Sequence, residues 1–281
     1  MPQSMTRVGQ GTPSRYREDK DALRMTIKLD EVQCVVQDNF LTITVEADRG
    51  REAYEKISLA LDRFIRCLSL EVKSYVSYRL LVIESEQGVP YTLPKSLRMT
   101  LTGYDLVKLR EAISNAEQAW QIRDPILDRA LSYYEHALFL FEERNEITDL
   151  FSGHFRYMIT EIFLNIWKAV SVVVGDPAVD KDYRRRYRLL GLDDDFFKDK
   201  IEPVRRLRNA YDIAHYRLAP DRLDEIERSF NMAKETTEKV MSEYRRYLTE
   251  EKPSFMTIIK SKKSLGETEA VTEPSTENGK P

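Results

Sequence analysis

The chain has few of the residues that build metal sites and disulfide frameworks. Its 281 residues include three histidines and two cysteines, Cys34 and Cys67. Two cysteines alone form neither a disulfide framework nor a zinc site, so we expect a reducing, cytoplasmic location, with no metal and no cofactor. The longest apolar stretch, residues 169–175, is far shorter than the roughly 18 residues of a membrane span. Residues 1–20 contain no apolar segment, so we expect neither a secretory signal nor a membrane.

The chain also carries little net charge. It has 44 Lys and Arg against 47 Asp and Glu, a formal net charge of −3. This balance excludes a uniformly basic coat for nucleic acid but not a local basic patch. The composition of 42% hydrophobic and 32% charged residues is typical of soluble globular proteins. At this length, two domains are the default expectation.

The first third of the chain predicts a small α+β domain, which we assign to residues 21–100. Residues 1–20 are polar, with Gly, Pro and Ser, and are typical of a disordered arm. Over residues 25–46 apolar residues alternate at period two, which indicates half-buried strands, and residues 51–70 change to helical spacing. Another strand is predicted over residues 75–84. No motif identifies the role of this domain; one hypothesis is that it senses a ligand and restrains the helical part.

The remainder of the chain predicts a mainly α fold. A connecting helix lies in residues 101–124, and the Asp-Pro pair that ends this segment is typical of an N-cap and a first helical turn. Four amphipathic helices with short joins then predict an antiparallel four- to five-helix bundle over residues 125–248. Residues 249–281 are predicted to form a disordered tail. Its one apolar island begins at Phe255 and either docks on a protein partner or stays unbound.

One predicted helix, residues 194–217, carries charge on its apolar face. With Val204 at zero and 100° per residue, Arg208 lies at about +40° and His215 at about +20°, both within the apolar stripe. Asp212 lies one turn from each of them, at about +80°. An arginine in such a stripe needs a partner, because desolvating an unpaired charge is costly. Either Asp212 pairs with Arg208 in a structural cluster, or the stripe opens into a cleft that binds an anionic ligand.

The residues around this pair form a motif. Arg208 is followed by Asn209, and six residues separate Arg208 from His215. This R-N-x5-H pattern, on the penultimate helix of a predicted bundle, resembles the signature of the HEPN superfamily. That signature is an arginine, four to six residues of which the first is often polar, and a histidine. The resemblance covers residues 125–248, less than half of the chain.

Many HEPN proteins are metal-independent endoribonucleases of toxin–antitoxin, CRISPR-associated and other defence or RNA-processing systems, and others are inactive modules. For an active member, the resemblance implies that Arg208 and His215 are the catalytic pair and that Asn209 supports them by positioning the substrate or the histidine. Asp212 and Tyr211 are further candidates for contacts with the substrate. For an inactive member, it implies a dimerising bundle that binds RNA or nucleotide in a regulatory or defence assembly.

These residue types suit the cleavage of RNA, which supplies its own nucleophile in the 2′-hydroxyl group. Histidine, with a reference pKa of about 6.5, transfers protons at neutral pH. Arginine stays charged, and its planar guanidinium binds phosphate oxygens without a metal. Arg208 and His215 are separated by roughly 10.5 Å along the helix axis, which is wide for two groups acting on one phosphate. A second copy of the motif across a two-fold axis would bring more groups to one cleft, so we expect a homodimer.

A basic segment accompanies the motif. Residues 181–217 contain eleven Lys or Arg and seven Asp or Glu, a local net charge of +4 against −3 for the whole chain. Arginines hold phosphates and tyrosines stack on bases, so we expect this segment to contact RNA. The candidates for this contact are Arg184, Arg185, Arg186 and Arg205, together with Tyr183 and Tyr187. The alternative is a solvated charged surface without a ligand.

Overall fold

A computed structural model describes residues 3–6, 24–37, 40–77, 82–84, 90–92, 106–144, 153–210, 223–250 and 252–257. The strands are β1 (Gln3–Thr6), β2 (Arg24–Leu29), β3 (Val32–Gln37), β4 (Phe40–Ala47), β5 (Val82–Glu84) and β6 (Pro90–Thr92). The helices are α1 (Gly50–Val72), α2 (Leu106–Gln121), α3 (Pro125–Glu143), α4 (Gly153–Val174), α5 (Tyr183–Leu189), α6 (Asp194–Phe196), α7 (Glu202–Ala210) and α8 (Leu223–Thr249). The predicted mainly helical fold with a small N-terminal sheet is confirmed.

Strands β1 to β4 form one antiparallel sheet in the order β1-β4-β3-β2. The alternation of the sequence decides which face is buried, because successive side chains of a strand point to opposite faces. The inward residues are buried: Ile27, Leu29, Cys34, Ile43 and Val45. Asp30 turns β2 into β3 with a φ of 54°, a left-handed conformation that aspartate tolerates. The strands predicted over residues 25–46 are therefore confirmed.

Strand β1 corrects part of the predicted disordered arm. Gln3–Thr6 lies within residues 1–20 but pairs with β4, with Gln3 opposite Ala47 and Thr6 opposite Thr44. Composition does not reveal such a strand, because its hydrogen-bond partners belong to a distant part of the chain.

The strand predicted over residues 75–84 is observed in part. Val82–Glu84 forms β5, which pairs with β6, whereas the described residues 75–77 do not form a strand. Before it, the Val76 N–H donates to the Ser69 hydroxyl of α1 at 3.1 Å, so the chain folds back on the helix it has just left. Residues 78–81 lie outside the described ranges.

Helix α1 joins the sheet to the helical half of the chain. It packs on β4 and on α2, which is the connecting helix predicted in residues 101–124. At this junction the Trp120 Nε1–H donates to the Ala60 carbonyl at 3.1 Å. One apolar core therefore runs from the sheet through α1 and α2 into the C-terminal helices.

The C-terminal helices begin at the predicted cap. The Asp124 carboxylate accepts the N–H groups of Ile126 and Leu127 at 2.9 and 2.8 Å, and Pro125 is in the first turn of α3. Helix α3 packs along α4, and α4 also contacts α7 and α8. Helix α4 has the length and apolar composition of a membrane-spanning helix, but most of that stretch is buried inside the protein, as in the central helix of a globular core.

The helix predicted over residues 194–217 begins as expected. Helix α6, one turn of π-helix (Phe197–Ile201) and α7 run on from one another as far as Ala210. Residues 211–222 lie outside the described residues. The last predicted helix, expected from residue 221 to 248, is observed as α8.

The start of the predicted tail is folded onto the helices. Phe255 is 1% exposed, and its ring lies between those of Tyr244 and Tyr247, with centroids 4.9 and 5.1 Å away. The prediction of a disordered tail is therefore wrong for residues 252–257. Composition missed this contact because a single aromatic side chain is enough to hold a segment of six residues.

Candidate functional site

Helix α7 presents the first two residues of the R-N-x5-H motif to solvent. Ile201 and Val204 are buried, which confirms the predicted apolar stripe. Arg208 and Asn209 are exposed, so the expectation that Arg208 lies inside that stripe is wrong. Its angle of about +40° lies near the edge of the stripe, where a side chain is less completely covered.

The other motif candidates lie beyond the part of the chain that the structure describes. Tyr211, Asp212 and His215 all fall within residues 211–222. Of the motif, the structure therefore describes only Arg208 and Asn209, and both alternatives for Arg208, a pair with Asp212 or a cleft that binds an anionic ligand, remain hypotheses.

The three arginines of α7 differ in whether a described carboxylate neutralises their charge. Arg205 makes two hydrogen bonds to Glu202, at 2.8 Å from Nε and 2.7 Å from Nη2, and Arg206 Nε lies 3.4 Å from the same carboxylate. These contacts, above all the hydrogen bonds from Arg205, lower the pKa of Glu202. Among the described residues, Arg208 has no carboxylate within 4.0 Å. Arg205, a predicted phosphate ligand, is thus already paired with Glu202, whereas no described carboxylate pairs with Arg208.

Helix α5 packs on the π-helical turn that leads into α7. The ring of Tyr187 stacks on Phe197 at 4.9 Å, and the ring of Tyr183 lies 5.2 Å from Phe197. Tyr187 is 2% exposed and its hydroxyl donates to Asp194. The expectation that Tyr187 stacks on bases is therefore wrong, because its ring belongs to the core; the half-buried Tyr183 packs against the same side chain.

The predicted phosphate-binding arginines of α5 have different surroundings. Arg186 pairs with Asp180 at 2.6 Å, and its side chain is only 13% exposed, which identifies a structural ion pair. Arg184 and Arg185 are exposed, and Arg184 Nε donates to the Tyr183 hydroxyl at 3.0 Å. Of this group, Arg184 and Arg185 are therefore the arginines available to a ligand.

Two further cations, which the sequence did not identify as phosphate-binding candidates, are also exposed to solvent. Lys198 and Lys200, in the π-helical turn, are exposed and have no ion-pair partner among the described residues. Their position in the mixed run Asp-Asp-Asp-Phe-Phe-Lys-Asp-Lys hid them, because the neighbouring acids cancel their charge in any composition window.

Two of the three successive aspartates before this turn already have hydrogen-bond or ion-pair partners. The Asp193 carboxylate accepts the Phe196 N–H at 2.7 Å, and Asp194 pairs with Arg188 at 2.7 Å. These two and Asp195 line an open cleft with Gly191. No group of three or more His, Cys, Asp and Glu suited to a metal is found in the ranges that the structure describes.

Comparisons with protein-family models, with curated proteins and with solved structures find no match to this chain. No relative therefore assigns a role to any of its residues. The resemblance to the HEPN superfamily rests on the spacing from Arg208 to His215 and on the order of the helices.

Proposed function

We propose that this chain is a HEPN-like, metal-independent endoribonuclease whose site forms around Arg208, Asn209 and His215. The observation that carries the proposal is the contrast within α7. Arg205 and Arg206 share Glu202, whereas Arg208 is exposed and has no carboxylate partner among the described residues. An unpaired guanidinium at the surface is free to bind phosphate oxygens through two parallel hydrogen bonds.

The proposed chemistry uses the nucleophile that RNA supplies. The 2′-oxygen attacks the neighbouring phosphorus while His215 accepts the hydroxyl proton. The bond to the 5′-oxygen breaks, that oxygen takes up a proton, and the products are a 2′,3′-cyclic phosphate and a 5′-hydroxyl end. Arg208 stabilises the additional negative charge of the phosphorane, and Asn209 positions the phosphate or the imidazole. In a homodimer, the second copy of the motif supplies the proton donor.

Other exposed cations would hold the flanking phosphates. Arg184 and Arg185 on α5, with Lys198 and Lys200 in the π-helical turn, are free of ion pairs among the described residues. Each phosphate contact of this kind releases counterions, so binding should weaken as salt is raised. Exposed acids in the same segment, Asp195 and Asp199, limit this surface to a local patch.

The test is cleavage of mixed RNA by the purified full-length chain in EDTA. We expect the wild-type protein to release fragments with cyclic-phosphate ends, and His215→Ala to lose roughly 100-fold or more of the rate, as for removal of a general base. A matched control is His154→Ala, which alters an exposed histidine outside the motif. Equal cleavage by wild type and His215→Ala, or no cleavage by the wild type, would contradict the enzyme proposal.

The second candidate function is an RNA- or nucleotide-binding module without catalysis. It is favoured by the exposed cations Arg185, Lys198 and Lys200, which lie on α5 and in the π-helical turn, outside the R-N-x5-H motif. A cation alone binds phosphate but moves no proton. Retention of RNA in a filter-binding assay, weakened by Arg208→Ala and unaccompanied by cleavage, would identify this module.

A further inference from the structure

The segment after α8 is attached to the helices at two points. Phe255 fills a socket formed by Tyr244 and Tyr247, and the Tyr247 hydroxyl donates to the Pro253 carbonyl at 3.3 Å. Next to this socket, the Ser254 hydroxyl donates to the Asp124 carboxylate. The segment, residues 252–257, is therefore held by one apolar side chain and two hydrogen bonds.

The acceptor of the Ser254 hydroxyl is a crowded, buried carboxylate. Asp124 is 3% exposed and caps α3 through the N–H groups of Ile126 and Leu127. It also accepts the Tyr244 hydroxyl at 3.0 Å. With the hydrogen bond from Ser254, the Asp124 carboxylate accepts four hydrogen bonds. It forms no ion pair with any residue that the structure describes. Such a carboxylate tolerates a donor beside it but not a second anion.

The rest of the segment is open to solvent. Lys252, Pro253, Met256 and Thr257 are exposed, whereas Ser254 is half-buried. Lys252 pairs with Glu250, which lies just before the segment, so its charge is neutralised locally. Release of the segment requires the exposure of one phenylalanine and the loss of a few hydrogen bonds, which is a local opening and not global unfolding.

We propose that residues 252–257 form a releasable latch and that Ser254 is a phosphorylation site that opens it. A protein kinase would transfer the γ-phosphoryl group of a nucleoside triphosphate to Ser254. The Oγ–P bond forms, the bond between the γ-phosphorus and the bridging oxygen breaks, the hydroxyl proton passes to the base of the kinase, and nucleoside diphosphate leaves.

The phosphoryl group changes Ser254 from a donor to an acceptor. It adds a charge of about −1.5 to −2 beside the Asp124 carboxylate and removes the hydrogen that the serine donated. Repulsion between the two anions then withdraws Phe255 from the socket. The expected product is a chain in which Tyr244 and Tyr247 are uncovered while the rest of the fold is retained.

The test measures amide hydrogen exchange in the full chain with phosphoserine incorporated at position 254. The reporter is the Thr257 N–H, which donates to the Ser254 carbonyl at 2.9 Å in the closed latch. We expect its exchange to rise about tenfold or more in the phosphorylated chain and less than about threefold in Ser254→Ala, which removes one hydrogen bond but adds no charge. Phe255→Ala is the control for an open latch, and the amides of α4 show that each chain is folded.

Three results would overturn the proposal. One is a phosphorylated chain whose Thr257 amide is as protected as in the wild type. A second is Phe255→Ala with wild-type protection, which would show that Phe255 does not hold the segment. Loss of protection in α4 as well as at Thr257 in the phosphorylated chain would equally overturn it, since the change would then be global unfolding.

Discussion

Arg63 of α1 donates through Nε to Asp128 of α3 at 2.7 Å. Its other two nitrogens donate to the backbone carbonyls of Trp120 and Ile122, where α2 ends. Arg63 is 9% exposed, so this guanidinium is a buried connection between the N-terminal unit and the first bundle helix. Residues 101–124, which the sequence predicts to connect two domains, therefore contact α1 through both polar and apolar groups.

The first prediction concerns this connection. Arg63→Ala should lower the free energy of unfolding by about 3 kcal/mol, because one buried carbonyl, one half-buried carbonyl and Asp128 lose their donor. Arg51→Ala is the matched control on the same helix, since Arg51 forms an exposed pair with Glu55. It should change stability by less than about 0.5 kcal/mol. Urea unfolding measures both, and similar losses for the two variants would contradict a structural role for Arg63.

The second prediction concerns the cap of α3. Asp124→Ala should cost about 2–4 kcal/mol, because it removes an N-cap and leaves the buried Tyr244 hydroxyl without its acceptor. Asp193→Ala removes an exposed cap that serves only the Phe196 N–H, and should cost about 1 kcal/mol or less. Thermal or urea unfolding distinguishes the two, and an Asp124→Ala loss no larger than that of Asp193→Ala would be unexpected.

The third prediction concerns alkaline pH. Burial raises the pKa of the Cys34 and Cys67 thiols to about 12. Both thiols stay protonated in the folded chain while they ionise in the unfolded chain above pH 8.5–9, so the unfolded state binds fewer protons and stability falls as pH rises. The loss should approach about 1.4 kcal/mol per pH unit for each thiol between pH 9 and 12. Replacing both by alanine should flatten this slope, and a slope unchanged from wild type would refute the assignment.

The sequence predicts those helices and strands whose hydrophobic pattern or cap lies within their own residues. The alternation around Ile27 and Ile43 predicts the sheet, the Asp124–Pro125 pair predicts the start of α3, and long amphipathic stripes predict α3, α4 and α8. These features are local, since one element decides them.

The features that the sequence did not predict depend on contacts between distant residues. The docking of Phe255 needs the aromatic socket of α8, and the exclusion of Tyr187 from a base-stacking role follows from its contact with Phe197. The exposure of Arg208 depends on how far the core extends beneath the last turn of α7. In each case the spacing is compatible with both a buried and an exposed side chain.

The fourth prediction distinguishes an exposed arginine of α5 from a buried tyrosine of the same helix. Arg185→Ala should weaken the binding of single-stranded RNA and reduce the slope of log affinity against log salt by about 0.7, the contribution of one phosphate contact. Tyr187→Phe should leave RNA binding unchanged, because the ring is buried and phenylalanine keeps its contact with Phe197. Fluorescence anisotropy over a range of salt concentrations measures both effects. A loss of binding in Tyr187→Phe but not in Arg185→Ala would reverse the assignment.

The most direct measurement of the central claim compares Arg208→Ala with Arg206→Ala in the cleavage of mixed RNA in EDTA. Both side chains are exposed on α7, but Arg206 lies against Glu202 while Arg208 has no acidic partner among the described residues. We predict that Arg208→Ala loses roughly 100-fold or more of the initial rate, as for removal of a group that stabilises the transition state, while Arg206→Ala stays within about threefold of wild type. Equal rates for the two variants would contradict the placement of the site at Arg208.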